Sequence, residues 1–285
     1  MLAAKKLIEQ SLSPFYCQQE IESFTKLIFE KITGFSRLQQ HINQHETISA
    51  ANLAQIKEIV NRLIRFEPIQ YILGETEFYG LPIKVNPEVL IPRPETEELV
   101  DWIIHETHPR NPVILDIGTG SGCIPIALSK NIPGASVEGW DISTGALLVA
   151  KKNADLNQVK IDFIYADVLN LIYPAKKHRY DIIVSNPPYV MASEQCSMNK
   201  NVIDYEPHIA LFVTDSDPLV FYSAIADLAI NLLKPCGKLY FEINEQFGNE
   251  ISKLLATKAF KNIVLKKDIN GKERMITAEL DSLAN

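Results

Sequence analysis

No apolar run in these 285 residues approaches the length a membrane-crossing helix needs, and the start, Met1-Leu-Ala-Ala-Lys-Lys, is too polar for a signal peptide. A cytoplasmic protein with no membrane partner is therefore expected. Cysteine is scarce: Cys17, Cys123, Cys196 and Cys236 stand far apart and form no CxxC pair. That spacing argues against a disulfide framework or a thiolate zinc site and leaves reduced thiols as the simple reading. His41 and His45 have the i,i+4 spacing of a helical metal pair, but no acid or cysteine is placed to complete the set. No metal is expected, and the two read as a solvated helix end. Positive charge is also in deficit, with 28 basic against 35 acidic residues and a net charge of −7. Affinity resting on many neutralised phosphates is thus disfavoured, and no stable nucleic-acid partner is expected. Repeats and low-complexity segments are missing too.

What is present suffices for a substantial core. Hydrophobic residues make up 46% and charged residues 22% of a chain long enough for two domains. Up to about residue 70, apolar residues recur at helical spacing: Leu2, Leu7 and Ile8; Ile21, Phe24, Leu27 and Ile28; Leu53, Ile56, Ile59, Val60, Leu63 and Ile64. Ser13-Pro14 ends the first helix, Thr33-Gly34-Phe35 ends the second, and Thr47 to Ser49 supply a cap for a later one. Thr76 to Val85 reads as two short strands around Gly80-Leu81-Pro82. The prolines of Ile91-Pro92-Arg93-Pro94 stiffen the connector that follows. Glu95, Glu97 and Glu98 then open a helix through Leu99, Val100, Ile103 and Ile104, where acids suit the N-terminal dipole.

From Pro112 onward strands alternate with helices. The predicted strands are Val113–Ile117, Ser136–Trp140, Asp162–Tyr165, Ile182–Ser185, Lys238–Ile243, Ile263–Lys266 and Met275–Ala278. Helices are predicted over Ile124–Lys130, Gly145–Asn157 and Pro218–Leu233. Such alternation implies a mostly parallel, doubly wound α/β sheet covered on both faces. Asn270-Gly271 joins the last two strands as a tight hairpin, so the sheet should finish with an antiparallel element.

The first of these strands runs through Asp116-Ile-Gly118-Thr-Gly120-Ser-Gly122 into a helix. Glycines allow close backbone approach of a ligand at the carboxyl end of the sheet. The spacing differs from the dinucleotide GxGxxG and lacks the Lys-Ser/Thr of a P-loop, so phosphate is not the obvious guest. Two more acids follow at strand ends. Asp141 is placed to accept from ribose hydroxyls, and Asp167 from the exocyclic amine of adenine. Asp116 can hold the loop or receive an ammonium group. A ligand with ribose, adenine and a cationic amino acid answers all three, and S-adenosylmethionine has them.

The fourth strand ends in Asn186-Pro187-Pro188-Tyr189. This suits methylation of a planar nitrogen beside a π system, whose delocalised lone pair attacks weakly. The Asn186 side-chain oxygen and the Pro187 carbonyl can each accept one N–H and aim the nitrogen, positioning being worth up to ~7–11 kcal/mol in the best intramolecular cases. The prolines add rigidity, and the Tyr189 ring can pack on a flat substrate group. No general base is obvious, and none is required when the methyl donor is already activated.

These motifs resemble the N5-glutamine methyltransferases that modify peptide chain release factors, the PrmC/HemK family. The resemblance runs through Tyr71-Ile-Leu-Gly74, Glu77-Phe-Tyr-Gly80, Leu90-Ile-Pro-Arg-Pro-Glu-Thr-Glu97, Asp116 to Gly122, Asn186 to Tyr189, Tyr205-Glu-Pro207 and Asp268…Arg274. It implies a helical N-terminal domain over 1–71 for substrate recognition, a β-hairpin linker over 72–92, and a seven-stranded, Rossmann-like methyltransferase domain over 93–285. By position it implies that Asp116, Gly118, Thr119, Gly120, Ser121, Gly122, Asp141, Asp167, Val168 and Asn186 bind the cofactor. Asn186, Pro187, Pro188 and Tyr189 would hold the glutamine, with Asn186 and Pro187 as the catalytic pair. The implied substrate is the Gly-Gly-Gln tip of a class I release factor, met by a monomeric enzyme. The chain departs from the family pattern in three places: Val168 where tryptophan is frequent, Asp217-Pro218-Leu219 for Asp-Gly-Leu, and Glu242-Ile243-Asn244 for Glu-Ile-Gly or Glu-His-Gly.

Asn-Pro-Pro-Tyr also serves enzymes that methylate adenine N6 or guanine N2 in nucleic acids. Against that reading stand the acidic balance and the lack of a basic, aromatic-interleaved insertion. The densest basic cluster, Lys176-Lys177-His178-Arg179, reads as a solvated loop. A binding module with a dead cofactor fold is the third alternative, opposed by intact Gly118, Gly120, Gly122, Asp141 and Asn186.

Overall fold

The computed structural model describes residues 1–107, 111–170 and 179–281. It divides into two compact units, Met1–Gly74 with Asn199–Tyr205, and Glu75–Met198 with Glu206–Asn285. Most of the predicted basic cluster, Lys176 to His178, lies outside the described residues. Among those described, no helix is long and apolar enough to cross a membrane.

The first unit is helical: α1 (Leu2–Leu12), α2 (Gln18–Thr33), α3 (Arg37–Ile42), α4 (Ala50–Leu63) and α5 (Ile69–Leu73). Ala4, Ile8 and Leu12 line one face of α1 and pack with Ile21, Ile28 and Phe29 of α2 and Ile56, Val60 and Leu63 of α4. Leu2, whose spacing suggested the same face, remains 48% exposed, and Ala4 takes its place. Gly34 ends α2 at φ 69°, and the Ser49 hydroxyl accepts the Asn52 amide to start α4. The excursion Asn199–Tyr205 is tied to this unit by the Tyr205 hydroxyl, which donates to the Arg65 carbonyl at 2.8 Å, and by Lys200 over the Phe66 ring.

The second unit opens with the hairpin β1 (Glu75–Phe78) and β2 (Leu81–Lys84), then α6 (Pro94–Glu106). The alternation predicted from the sequence follows as β3 (Val113–Ile117), α7 (Cys123–Asn131), β4 (Ser136–Asp141), α8 (Thr144–Leu156), β5 (Ile161–Tyr165) and β6 (Tyr180–Ser185). Then comes β7 (Val190–Met191), and, after the excursion into the first unit that holds the short α9 (Lys200–Ile203), β8 (Phe212–Val213), α10 (Val220–Leu232), β9 (Leu233–Glu242), α11 (Gly248–Thr257), β10 (Phe260–Lys267) and β11 (Glu273–Leu280). The main sheet has seven strands in the order β10-β11-β9-β6-β3-β4-β5. Strands β5, β4, β3, β6 and β9 are parallel, and β11 runs antiparallel between β9 and β10. The closing hairpin is therefore present, but its second strand, not its first, enters beside β9.

Two features escaped the sequence pattern. Helix α11 buries Ile251 and Leu255, a stripe too short to mark a helix by periodicity alone. The two-residue strands β7 and β8 pair Val190 with Phe212 across a long loop, which no local signal announces.

Strand β3 is the hinge of the topology. From it the chain builds outward through β4 to β5, then returns past β3 to β6 and β9. The crevice at the carboxyl ends of β3 and β6 is thus a topological switch point, where open α/β sheets bind ligands.

Candidate active site

The turn from β3 to α7 carries Gly118 and Gly122 at φ 75° and 79°, left-handed conformations that side-chain-bearing residues avoid. At Gly122 space is also short, since a Cβ there would stand 3.0 Å from the Ala150 Cβ on α8. The Gly118 and Thr119 amides donate to the Trp140 carbonyl at 2.8 and 3.0 Å, fastening the loop to β4. One residue on, Asp141 accepts from the Gly120 amide through one carboxylate oxygen and from the Ser143 amide through the other, both at 2.8 Å. Each oxygen keeps a second lone pair for a hydroxyl donor. Burial holds the Asp141 carboxyl above the ordinary range, and the Ser143 and Gly120 amides counteract it.

A cavity of about 280 Å³ opens beside this loop. Of the residues singled out in the sequence, Gly118, Gly120, Asp141, Asp167, Val168, Asn186, Pro187 and Pro188 line it. Asp167 lies two residues beyond β5 and holds a local turn, accepting from the Leu169 amide at 3.0 Å and the Asn170 side chain at 2.8 Å. Leu90, which opens the proline connector motif, and Ile142, Phe221 and Ile225, which no motif pointed to, supply much of the apolar wall. Their flat and branched surfaces, with Val168, are suited to an adenine ring.

The remaining candidates lie off the cavity wall. Asp116, Thr119 and Ser121 are buried beneath the loop. Within the described residues neither Asp116 oxygen nor the Thr119 hydroxyl has a hydrogen-bond partner of normal geometry. Burial, and then the Asp141 charge, push Asp116 up to about 7, with the Thr119 hydroxyl a partial offset. Unsatisfied buried acceptors are costly, and here the cost falls behind the cavity wall rather than on it. Apolar walls, a glycine loop and acids with spare lone pairs together fit the chemistry of S-adenosylmethionine.

Comparison with known proteins agrees. The family description "Methyltransferase small domain" matches residues 96–206, and "PrmC N-terminal domain" matches residues 7–74. The release factor glutamine methyltransferase of Flavobacterium psychrophilum is 49% identical over 271 residues, 94% of either chain. This chain belongs to the release factor glutamine methyltransferase family. A second member, from Bacteroides thetaiotaomicron, is 45% identical over 95% of this chain and 97% of its own. The chain is an S-adenosylmethionine-dependent methyltransferase.

The fold extends beyond the release factor glutamine methyltransferases. A methyltransferase from Pyrococcus furiosus is 18% identical with a TM-score of 0.51, covering 82% of this chain and all of that one. The 16S rRNA N2 G1207 methyltransferase of T. thermophilus is 20% identical with a TM-score of 0.52, covering 72% of this chain and 49% of its own. At these identities the likeness concerns architecture alone.

Asn186 follows β6 directly. Tyr189 is not on the cavity wall; its hydroxyl donates to the Glu242 carboxylate at 3.1 Å. Burial and the Glu242 charge hold that phenol well above its ordinary range. Glu242 itself is 1% exposed at the end of β9 and also accepts from the Thr96 hydroxyl at 2.5 Å. Thr96 and Glu242 sit inside sequence motifs already noted, Arg93-Pro-Glu-Thr-Glu97 and Glu242-Ile-Asn244. Their meeting across 146 positions of chain is what the sequence alone did not reveal.

Proposed function

We propose that the chain transfers a methyl group from S-adenosylmethionine to the side-chain amide nitrogen of the glutamine in the Gly-Gly-Gln motif of class I peptide chain release factors. The observation that carries this reading is that Asn186, Pro187 and Pro188 line the same cavity as Gly118, Gly120 and Asp141. A planar amide held at the strand tip then lies beside the group that reacts with it. When bound, S-adenosylmethionine supplies a methyl carbon made electrophilic by its sulfonium.

The protein's part is orientation. The Asn186 side-chain oxygen and the Pro187 carbonyl each accept one N–H of the glutamine amide, fixing its plane and its direction of attack. The same acceptors stabilise the nitrogen after transfer, until its surplus proton leaves to water. Pro188 and the Tyr189 backbone hold this turn rigid. Gly118 to Gly122, Asp141, Asp167 and Val168 cradle the cofactor, and Asp116 underlies the loop. In this reading residues 1–71 recognise the release factor, 72–92 form the linker, and 93–285 perform transfer. The names of the curated relatives and the absence of a large basic excess favour a protein substrate.

The test incubates the protein with labelled S-adenosylmethionine and, separately, a release factor, that factor with its tip glutamine replaced, DNA and RNA. Label is expected only in the intact release factor. Label in nucleic acid, or undiminished label in the glutamine-less factor, refutes the substrate assignment.

A further inference from the structure

We propose that Thr96 is a positioning residue that sets which way the Asn186 carboxamide faces, with Glu242 as the acceptor that sets Thr96. This deepens the proposed transfer to glutamine and rests on it. Strands β6 and β9 are parallel neighbours with Ser185 opposite Phe241, so the next residues, Asn186 and Glu242, emerge side by side. Helix α6 brings Thr96 against both in its first turn. The Thr96 hydroxyl lies 2.5 Å from Glu242 Oε2, and Asn186 Nδ2 lies 3.2 Å from Thr96 Oγ1.

The direction of each bond follows from the inventory of donors. An ionised carboxylate only accepts, so the single Thr96 hydroxyl hydrogen goes to Glu242. Thr96 then has only lone pairs to offer, and Asn186 must turn its NH2 toward it. The opposite end of the planar carboxamide, Oδ1, is thereby left to accept from a substrate N–H. A hydroxyl free to rotate would bond either end of the amide, and the flipped form would present NH2 to NH2. Burial raises the Glu242 carboxyl above its ordinary range and Glu95 adds to this, while the Thr96 and Tyr189 hydroxyls and the Arg274 charge favour the ionised form; with one hydroxyl placed on each carboxylate oxygen, the geometry is that of an acceptor at both. The Tyr222 hydroxyl donates to the Glu242 carbonyl at 3.3 Å and pins the backbone. Thr96 and Glu242 belong to motifs that are absorbed here into one relay behind the reacting group.

The experiment compares wild type, Thr96→Val, Thr96→Ser, Glu242→Gln and the double variant Thr96→Val/Glu242→Gln. It measures kcat and KM with a purified release factor, cofactor Kd by calorimetry, and melting temperature. Thr96→Val should lose about a hundredfold in kcat, the scale of a small misplacement, with cofactor Kd within about twofold of wild type. Thr96→Ser keeps the hydroxyl and should stay within about threefold. Glu242→Gln replaces one of the two acceptor oxygens that Thr96 and Tyr189 use with an NH2, so the Thr96 hydroxyl loses its fixed direction; it should lower kcat, yet add less than about twofold to Thr96→Val, because the relay is already cut. A Thr96→Val kcat near wild type, a Thr96→Ser loss as large as that of Thr96→Val, or a loss confined to cofactor affinity overturns the proposal. Should Thr96→Val fail to fold, Thr96→Ser and Glu242→Gln decide it, an unchanged kcat in Glu242→Gln being the refuting result. A wild type that labels nucleic acid and not release factor refutes the substrate reading instead, and the same variants are then compared on that substrate.

Discussion

The Arg93 guanidinium donates to the Glu206 carboxylate at 2.6 Å, joining the stiff proline connector to a loop 113 residues later. Glu206 is 3% exposed and also accepts from the Ile91 amide at 3.2 Å. Leu90 and Pro207, adjoining Ile91 and Glu206, line the cavity beside the glycine loop. Removing Arg93 leaves a buried carboxylate with one donor fewer, a loss that full burial would place at about 3–5 kcal/mol and that partial exposure of Arg93 reduces. Arg93→Ala should therefore lose about 2 kcal/mol in urea unfolding and bind S-adenosylmethionine several-fold more weakly. Unchanged stability and cofactor affinity would show that the pair does not hold the mouth of the cavity.

Asp116 should make the cofactor-free protein less stable as pH rises. Its carboxyl has an ordinary value of 3.8 when unfolded and about 7 when folded, because burial penalises the charge. Below pH 3.8 both states are protonated and nothing is lost. Between the two values only the unfolded chain releases the proton, so stability falls, and above pH 7 the penalty reaches on the order of 4 kcal/mol. Asp116→Asn should melt higher than wild type at pH 8, with the gap closing toward pH 4, while binding S-adenosylmethionine less well. Equal melting temperatures at pH 8 would contradict this account.

Asn186→Ala should abolish measurable transfer while leaving the circular dichroism spectrum intact. Loss of one preorganised hydrogen-bonding group costs about 100- to 1,000-fold in rate in comparable sites. Cofactor affinity should change far less than kcat. Wild-type rates in this variant would remove Asn186 from the reaction.

Gly122→Ala forces a side chain into a left-handed position and against the Ala150 Cβ. A destabilisation of about 1–3 kcal/mol is expected, together with weaker cofactor binding, because the loop and the start of α7 must shift together. Gly34→Ala is the control: φ is 69° but no atom lies within 4 Å of the added Cβ, so only the backbone strain remains. Cofactor affinity should fall in the first variant and not in the second.

Much of the glycine loop and of the strand tip was legible because their geometry is local. The Gly-x-Gly-x-Gly spacing announces left-handed turns within five residues, and Asn186 to Tyr189 announces a rigid exit from a strand. The placement of Asp141 and Asp167 could be read from where strands end. Tyr189 shows the limit: no local signal announces that its hydroxyl reaches Glu242, a partner 53 positions away.

Periodicity, glycine and proline spacing, and acids at strand ends set the helical first unit, the alternating second unit and the chemical type of the ligand, since each depends on backbone rules acting over a few residues. Packing alone decided that β11 would slip between β9 and β10, that Asp116 would lie buried under the loop, and that Thr96, Asn186 and Glu242 would converge. Those outcomes depend on which strand ends become neighbours, and strand order is chosen by the burial of whole faces, a quantity no short stretch of chain contains.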